Sequence, residues 1–100
     1  MTGSAAAPEM CSVELFGPAR LASGVRYIAL ELEHPISVRE LTSMLAGRCP
    51  SLMDGILDVG LGTVGAGYIL NRNGREFLVG PDPLINPGDS ILLLSSAVGG

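Results

Sequence analysis

Two stretches near the start of the chain alternate apolar and polar residues. In Ser12–Gly17, "SVELFG", Val13 and Leu15 fall on one face and Glu14 and Phe16 on the other. That period of two is the pattern of a half-buried strand. In Val25–Glu33, "VRYIALELE", Ile28, Leu30 and Leu32 oppose Ala29, Glu31 and Glu33. Between them "PARLASG" (Pro18–Gly24) carries Pro and Gly and reads as a loop, so the two strands are expected to form a hairpin. The period then changes. Ser37 and Glu40 form an S-x-x-E capping box, and Val38, Leu41, Met44 and Leu45 recur at helical spacing. Gly47 and Pro50 bracket the end of that helix.

The second half is less regular. Ser51–Gly67 holds five glycines from Gly55 onward and reads as a loop, with one helical turn near Leu52–Leu57. "YILNRNGREFL" (Tyr68–Leu78) is a hairpin about Asn73-Gly74, a strong turn signal. Asp82-Pro83 and Pro87-Gly88 mark further turns. "SILLLS" (Ser90–Ser95) is apolar on both faces, which predicts a central strand, covered on both sides or paired in parallel with a neighbour. A hairpin, one helix, a second hairpin and a buried last strand beside the first make an α+β layer arrangement. The expected fold is the ubiquitin-like β-grasp: a mixed sheet of about four to five strands with one main helix packed on it. Residues 1–11 read as a flexible extension, 12–95 as the domain and 96–100 as a flexible tail.

Composition narrows the function classes. The chain has 100 residues, enough for one domain, and 47% are apolar. Net charge is −4, and the six basic residues are all arginine, scattered rather than clustered. That excludes the basic stripe of a nucleic-acid binder. The first residues lack the charged and apolar regions of a signal peptide, and no apolar run reaches the roughly 20 residues that span a bilayer. Cys11 and Cys49 read as reduced thiols, and a cytoplasmic location is expected.

Chemistry within the body is hard to find. "GLGTVG" (Gly60–Gly65) fits G-x-G-x-x-G, but it precedes a strand instead of opening a helix after one. The dinucleotide reading fails on that context, leaving a flexible glycine loop that orders when a partner docks. His34 is the single histidine and reads as a solvated loop residue. Asp54 and Asp58 have no further ligand nearby, so no metal is assigned.

The end of the chain is different. After the apolar strand come Ser96, Ala97, Val98, Gly99 and Gly100. Without Cβ atoms, a glycine pair threads narrow channels and leaves a terminal carbonyl unshielded. "VELFGPAR", "SVRELTSMLAGRCPSL" and "PLINPGDSILLLSSAVGG" together resemble the small β-grasp sulfur carriers. These are the small subunit of molybdopterin synthase (MoaD-like) and the thiamine sulfur carrier (ThiS-like). The likeness spans most of Ser12–Gly100 and departs from the pattern at residues 1–11 and 59–67.

The resemblance implies chemistry at the Gly100 carboxylate, with Gly99 beside it. A ubiquitin-activating-type enzyme consumes ATP to adenylate that carboxylate. A sulfur donor displaces AMP to leave a thiocarboxylate, and a large-subunit-type synthase passes the sulfur to an acceptor. The molybdopterin branch is favoured over thiamine, cysteine or a specialised metabolite. The carrier itself binds no cofactor and has no self-contained active site. Phe16, Arg20, Phe77, Ser96, Ala97 and Val98 are the expected partner contacts, on an apolar sheet patch near the last strand. Two alternatives stay open: a protein modifier joined through Gly100 to target lysines, and a non-catalytic β-grasp interaction domain. The chain has no lysine of its own, so it cannot form lysine-linked polymers of itself.

Overall fold

The computed structural model describes residues 9–80 and 83–96. Strand β1 (Glu9–Leu15) pairs antiparallel with β2 (Tyr27–Leu32), from Glu9 opposite Leu32 to Glu14 opposite Tyr27. The alternation behaves as expected: Val13, Leu15, Ile28, Leu30 and Leu32 are buried. The strand starts earlier than the sequence indicates. Glu9, Met10 and Cys11 belong to β1 rather than to an extension, because β2 runs on to Leu32 and offers them backbone partners. Cys11 is fully buried opposite Leu30.

The expected loop Pro18–Gly24 contains a short helix, α1 (Pro18–Ser23). Pro18 occupies its first turn, where a missing N–H costs nothing. Gly24 closes it in the left-handed conformation, its N–H donating to the Arg20 carbonyl. Buried Ala19 anchors this helix. Six residues are too few for a helical period to show in the sequence.

A two-residue strand, β3 (Ile36–Ser37), leads into the main helix α2 (Val38–Arg48). The capping box is present: Ser37 Oγ accepts from the Glu40 N–H at 3.0 Å, and Glu40 Oε1 accepts from the Ser37 N–H at 3.0 Å. Leu41, Thr42, Leu45 and Ala46 are buried, and Val38 and Met44 flank them half-buried. The helix runs through Gly47 and stops before Pro50, where a 3-10 turn (Pro50–Met53) begins.

The glycine-rich stretch is built rather than loose. Strands β4 (Leu57–Asp58) and β5 (Thr63–Val64) form a small hairpin; the first half of "GLGTVG" lies in its connection and Thr63–Val64 form its second strand. Asp58 Oδ1 accepts from the Leu61 N–H at 3.0 Å, and its carbonyl accepts from the Gly62 N–H at 2.9 Å. Glycine is required here for close approach. A Cβ on Gly65 would strike the Gly55 carbonyl, and one on Gly62 would come within 2.6 Å of the Arg39 guanidinium carbon.

Next come β6 (Tyr68–Arg72) and β7 (Glu76–Phe77), joined by the expected turn, with Asn73 and Gly74 both at positive φ. Strand β8 (Leu84–Ile85) pairs with β3, and β9 (Ser90–Ser95) completes the chain. The main sheet has the order β2-β1-β9-β6-β7, with β9 parallel to β1 and antiparallel to β6. The last strand is therefore central and paired in parallel with the first. One sheet face packs on α2, bringing Leu15, Leu30, Leu70, Ile91 and Leu93 against Leu41 and Leu45. Each such side chain contributes about 2 kcal/mol of burial.

Candidate functional site

Because β1 and β9 are parallel, their C-terminal ends lie at the same end of the sheet. The Phe16 N–H donates to the Leu93 carbonyl at 3.2 Å, so Phe16 stands beside the last turn of chain before the tail. Ser96 is exposed, and its N–H donates to the Gly67 carbonyl at 2.7 Å. Ala97, Val98, Gly99 and Gly100 lie outside the described residues.

The short helix α1 brings Arg20 to this end. Its guanidinium sits over the Phe16 ring, 5.5 Å from the centroid. Arg20 Nε donates to the Leu15 carbonyl at 3.0 Å, and Nη2 lies 3.7 Å from Glu14 Oε2. Arg20 is thus neither a free loop cation nor buried. It is a tethered one, half-exposed beside the root of the tail. Phe16 and Arg20 are joined by the structure, a pairing that depends on the helical turn between them.

Phe77 is not part of that cluster. It is 56% exposed on edge strand β7, opposite Asn71. Three strand spacings separate β7 from β1, about 14 Å. Between them the sheet face away from α2 carries Leu92 and Leu94 of β9 and Ile69 of β6, all half-buried. Register places Ile69 opposite Leu94 and Asn71 opposite Leu92. The centre of this face is these half-buried aliphatic residues, with the two phenylalanines at its margins. The signal was present in "SILLLS", whose second face had to go somewhere. The polar member of the surface, Asn71, had no sequence signal at all.

Arg72 and Asp89 form a second arrangement invisible in the sequence. Arg72 Nη1 lies 3.2 Å from Asp89 Oδ2 and donates to the Leu84 carbonyl, and Arg72 Nε lies 2.7 Å from Glu76 Oε1. Burial works against the guanidinium charge, but the bonds to Glu76 and Asp89 outweigh it and raise its pKa. Asp89 Oδ2 also accepts from the Asn86 N–H at 2.9 Å. This clamp fixes the turn that feeds β9.

Elsewhere the chemistry is sparse. His34 is exposed, its Nδ1 lying 3.0 Å from the Pro35 carbonyl. Asp58 serves the β4–β5 turn. Cys11 and Cys49 are free thiols, and burial, aided by the charge of Asp89, pushes the Cys11 thiol up to about 11. A cleft of about 490 Å³ lies between the start of α2, the β4–β5 hairpin and β6. Among the described residues Arg39 is the sole charged one lining it, and Arg39 Nη2 already donates to the Leu61 carbonyl at 3.2 Å. Among the described residues no group of His, Cys, Asp and Glu is placed to hold a metal, and no helix is long and apolar enough to cross a membrane.

A helix laid across a mixed sheet whose first and last strands are central and parallel defines a ubiquitin-like β-grasp domain. Solved structures share that fold over nearly their whole length. SAMP1 from Haloferax volcanii matches with a TM-score of 0.74 at 21% identity, covering 91% of this chain and 99% of the other. Small archaeal modifier protein 1 from Methanosarcina acetivorans gives 0.69 at 24% identity, with 93% and 98% covered. Urm1 from Trypanosoma brucei gives 0.71 at 20% identity, with 93% and 97% covered. No protein-family model matches the chain, and no curated protein matches it by sequence. At these identities the likeness establishes the fold.

Proposed function

We propose that this protein is a ubiquitin-like sulfur carrier whose working group is the Gly100 carboxylate. The observation that carries the reading is the placement of β9. It is central, locked between β1 and β6, and its end lies beside Phe16, ahead of the sequence that closes on Gly99-Gly100. The body is then a rigid handle, and the reactive end is presented to other proteins.

The chemistry proceeds in balanced steps. A carboxylate oxygen of Gly100 attacks the α-phosphorus of ATP on an activating enzyme, and pyrophosphate leaves. Hydrosulfide, or a donor at the same oxidation level, attacks the acyl carbon and AMP leaves. The product is a terminal thiocarboxylate, whose sulfur is nucleophilic. A synthase of large-subunit type then directs that sulfur onto a small-molecule acceptor. The molybdopterin precursor is the favoured acceptor, on the sequence resemblance. ATP is consumed by the partner, and the cycle is expected in the cytoplasm. The activating partner docks on the sheet face formed by Ile69, Leu92 and Leu94, with Phe16, Arg20 and Phe77 at its margins.

A second reading has its own support: the word "modifier" in the names of structural neighbours. In that reading the activated Gly100 is joined to a lysine of another protein. Both readings share the adenylation step and part at the product. Intact mass spectrometry separates them. With ATP, the activating enzyme and sulfide, a carrier exchanges one oxygen for one sulfur, and removal of Gly99-Gly100 abolishes the exchange while circular dichroism is unchanged. A modifier instead yields higher-mass conjugates. If the shortened chain supports its pathway at full rate, both readings fall and a plain interaction domain remains.

A further inference from the structure

The two edges of the main sheet differ. Strand β7 is two residues long, and so short an edge offers little to pair with. Strand β2, at the other edge, runs for six residues in unbroken register and without a proline. That register fixes where its backbone groups point. The Leu15 N–H donates to the Arg26 carbonyl at 2.7 Å, so Ile28 and Leu30, opposite Val13 and Cys11, also direct their N–H and C=O groups at β1. Tyr27, Ala29 and Glu31 turn theirs outward, and all three residues are exposed. Among the described residues the one group that meets this row is Arg48, whose Nη1 donates to the Ala29 carbonyl at 3.0 Å. A groove of about 560 Å³ follows the same edge, lined by Met10, Ala29 and Glu31 of the sheet and by Met44, Gly47 and Arg48 of α2. Met10 is 50% exposed, and a Cβ on Gly47 would meet nothing. A long, regular, unpaired edge beside such a groove is a template for another strand.

We propose that this edge pairs with β2 of a second copy of the chain, antiparallel about a two-fold axis through Ala29. The charges of the strand select that occupant. Arg26 lies just before β2 and Glu31 near its end, both are exposed, and neither makes an ion pair among the described residues. Centred on Ala29, the pairing matches every outward residue of one strand with one of the other, and it sets Tyr27 of each copy opposite Glu31 of the other. The Arg26 guanidinium already lies over the Tyr27 ring, 5.7 Å from its centroid. Glu31 of the second copy therefore arrives beside an unpaired cation, and symmetry repeats the contact. A parallel pairing would set Arg26 against Arg26 and Glu31 against Glu31. Ala29, the smallest side chain of the row, falls at the axis. Its carbonyl has two lone pairs, so it accepts from the facing N–H while keeping Arg48. The groove along Met44 and Gly47 is then closed by the same region of the second copy. Strand β9 stands two places in from this edge, so the pairing neither involves it nor rests on the carrier reading.

Sedimentation equilibrium of the full-length chain tests this. A short edge contact is a weak interface, so the chain should pass from monomer to dimer between about 10 μM and 1 mM. Over that range hydrogen exchange at the Tyr27, Ala29 and Glu31 amides should slow, while Ile28 and Leu30, already bonded to β1, should not change. Ala29→Pro removes an N–H that β1 does not use, so the monomer folds and the dimer is lost. Glu31→Arg and Arg26→Glu should each weaken association about tenfold, and the double variant that exchanges the two charges should return it to within about threefold of wild type. A chain that stays monomeric at about 1 mM overturns the inference. So does a dimer that survives Ala29→Pro with the fold intact, that protects amides elsewhere, or that the charge exchange fails to restore. Should the proline variant not fold, the exchange of charges decides alone.

Discussion

Strand β9 has two apolar faces that have met different fates. Ile91 and Leu93 point toward α2 and are fully buried, whereas Leu92 and Leu94 point away and are half-buried. The residues are of one chemical kind, within a single strand, at alternating positions. The difference teaches that hydrophobicity alone does not say what a residue is for. The inner pair is satisfied by the fold. The outer pair, with Ile69, is covered only in part. Selection for stability alone would favour polar residues there.

The contrast is broken most forcefully from the inside. Leu93→Ala removes a fully buried side chain at the centre of the sheet and is expected to cost about 3 kcal/mol. Urea denaturation reads this directly. The inner face acts on function only through folding, so the variant supports pyrophosphate exchange normally at temperatures where it is folded.

The clamp at the entry to β9 ranks next. Asp89→Ala removes the acceptor for Arg72 and for the Asn86 N–H together, in a mostly buried setting. The expected loss is about 2 kcal/mol. Glu76→Ala removes the other carboxylate from Arg72, but Glu76 is 60% exposed and the loss should be within about 0.5 kcal/mol. Comparable losses for the two variants would mean that the turn before β9 is not held by Asp89.

Much of this architecture was legible from local signals. The alternation of Val13, Leu15, Ile28, Leu30 and Leu32, the Ser37–Glu40 box and the Asn73-Gly74 turn each concern neighbouring residues and survive in the structure unchanged. Features made by distant partners were not legible. The β3–β8 pairing joins residues about 48 apart in sequence, and Arg72 meets Asp89 across 17. The glycine-rich stretch misled for a related reason. Its glycines serve contacts with Arg39 and Gly55, so their meaning lies in the neighbour rather than in the loop. The site divides likewise. Phe16 and Arg20 were nameable singly, but their stacking needed α1, and Asn71 needed the burial of a whole face.

Cysteine gives a finer test of inside against outside. Cys11 lies on the inner face, and its thiol is raised from 9.0 to about 11, chiefly by burial and then by the charge of Asp89. A group whose folded pKa lies above its unfolded value contributes stability that is fully present below the unfolded pKa. That contribution is expected to hold up to about pH 9 and to disappear as pH climbs toward 11. Denaturation midpoints across that window should decline, and Cys11→Ala should flatten the decline. Maleimide at neutral pH should label half-buried Cys49 and spare Cys11 until the protein unfolds.

Of the two faces of β9, the outer one has the smaller effect on stability. Leu94→Ser trims a half-buried side chain opposite Ile69, so the cost to folding should be about 1 kcal/mol, well below that of Leu93→Ala. Its effect on docking should be larger than its effect on folding, because Leu94 is the open-face residue closest to the tail. A several-fold rise in carrier KM for pyrophosphate exchange, with Tm lowered only slightly, is the expected pairing. Leu93→Ala should give the converse one position away. If Leu94→Ser instead unfolds the protein as readily as Leu93→Ala does, then β9 is simply a strand buried on both sides, and the outer face has no claim to be a surface kept for a partner.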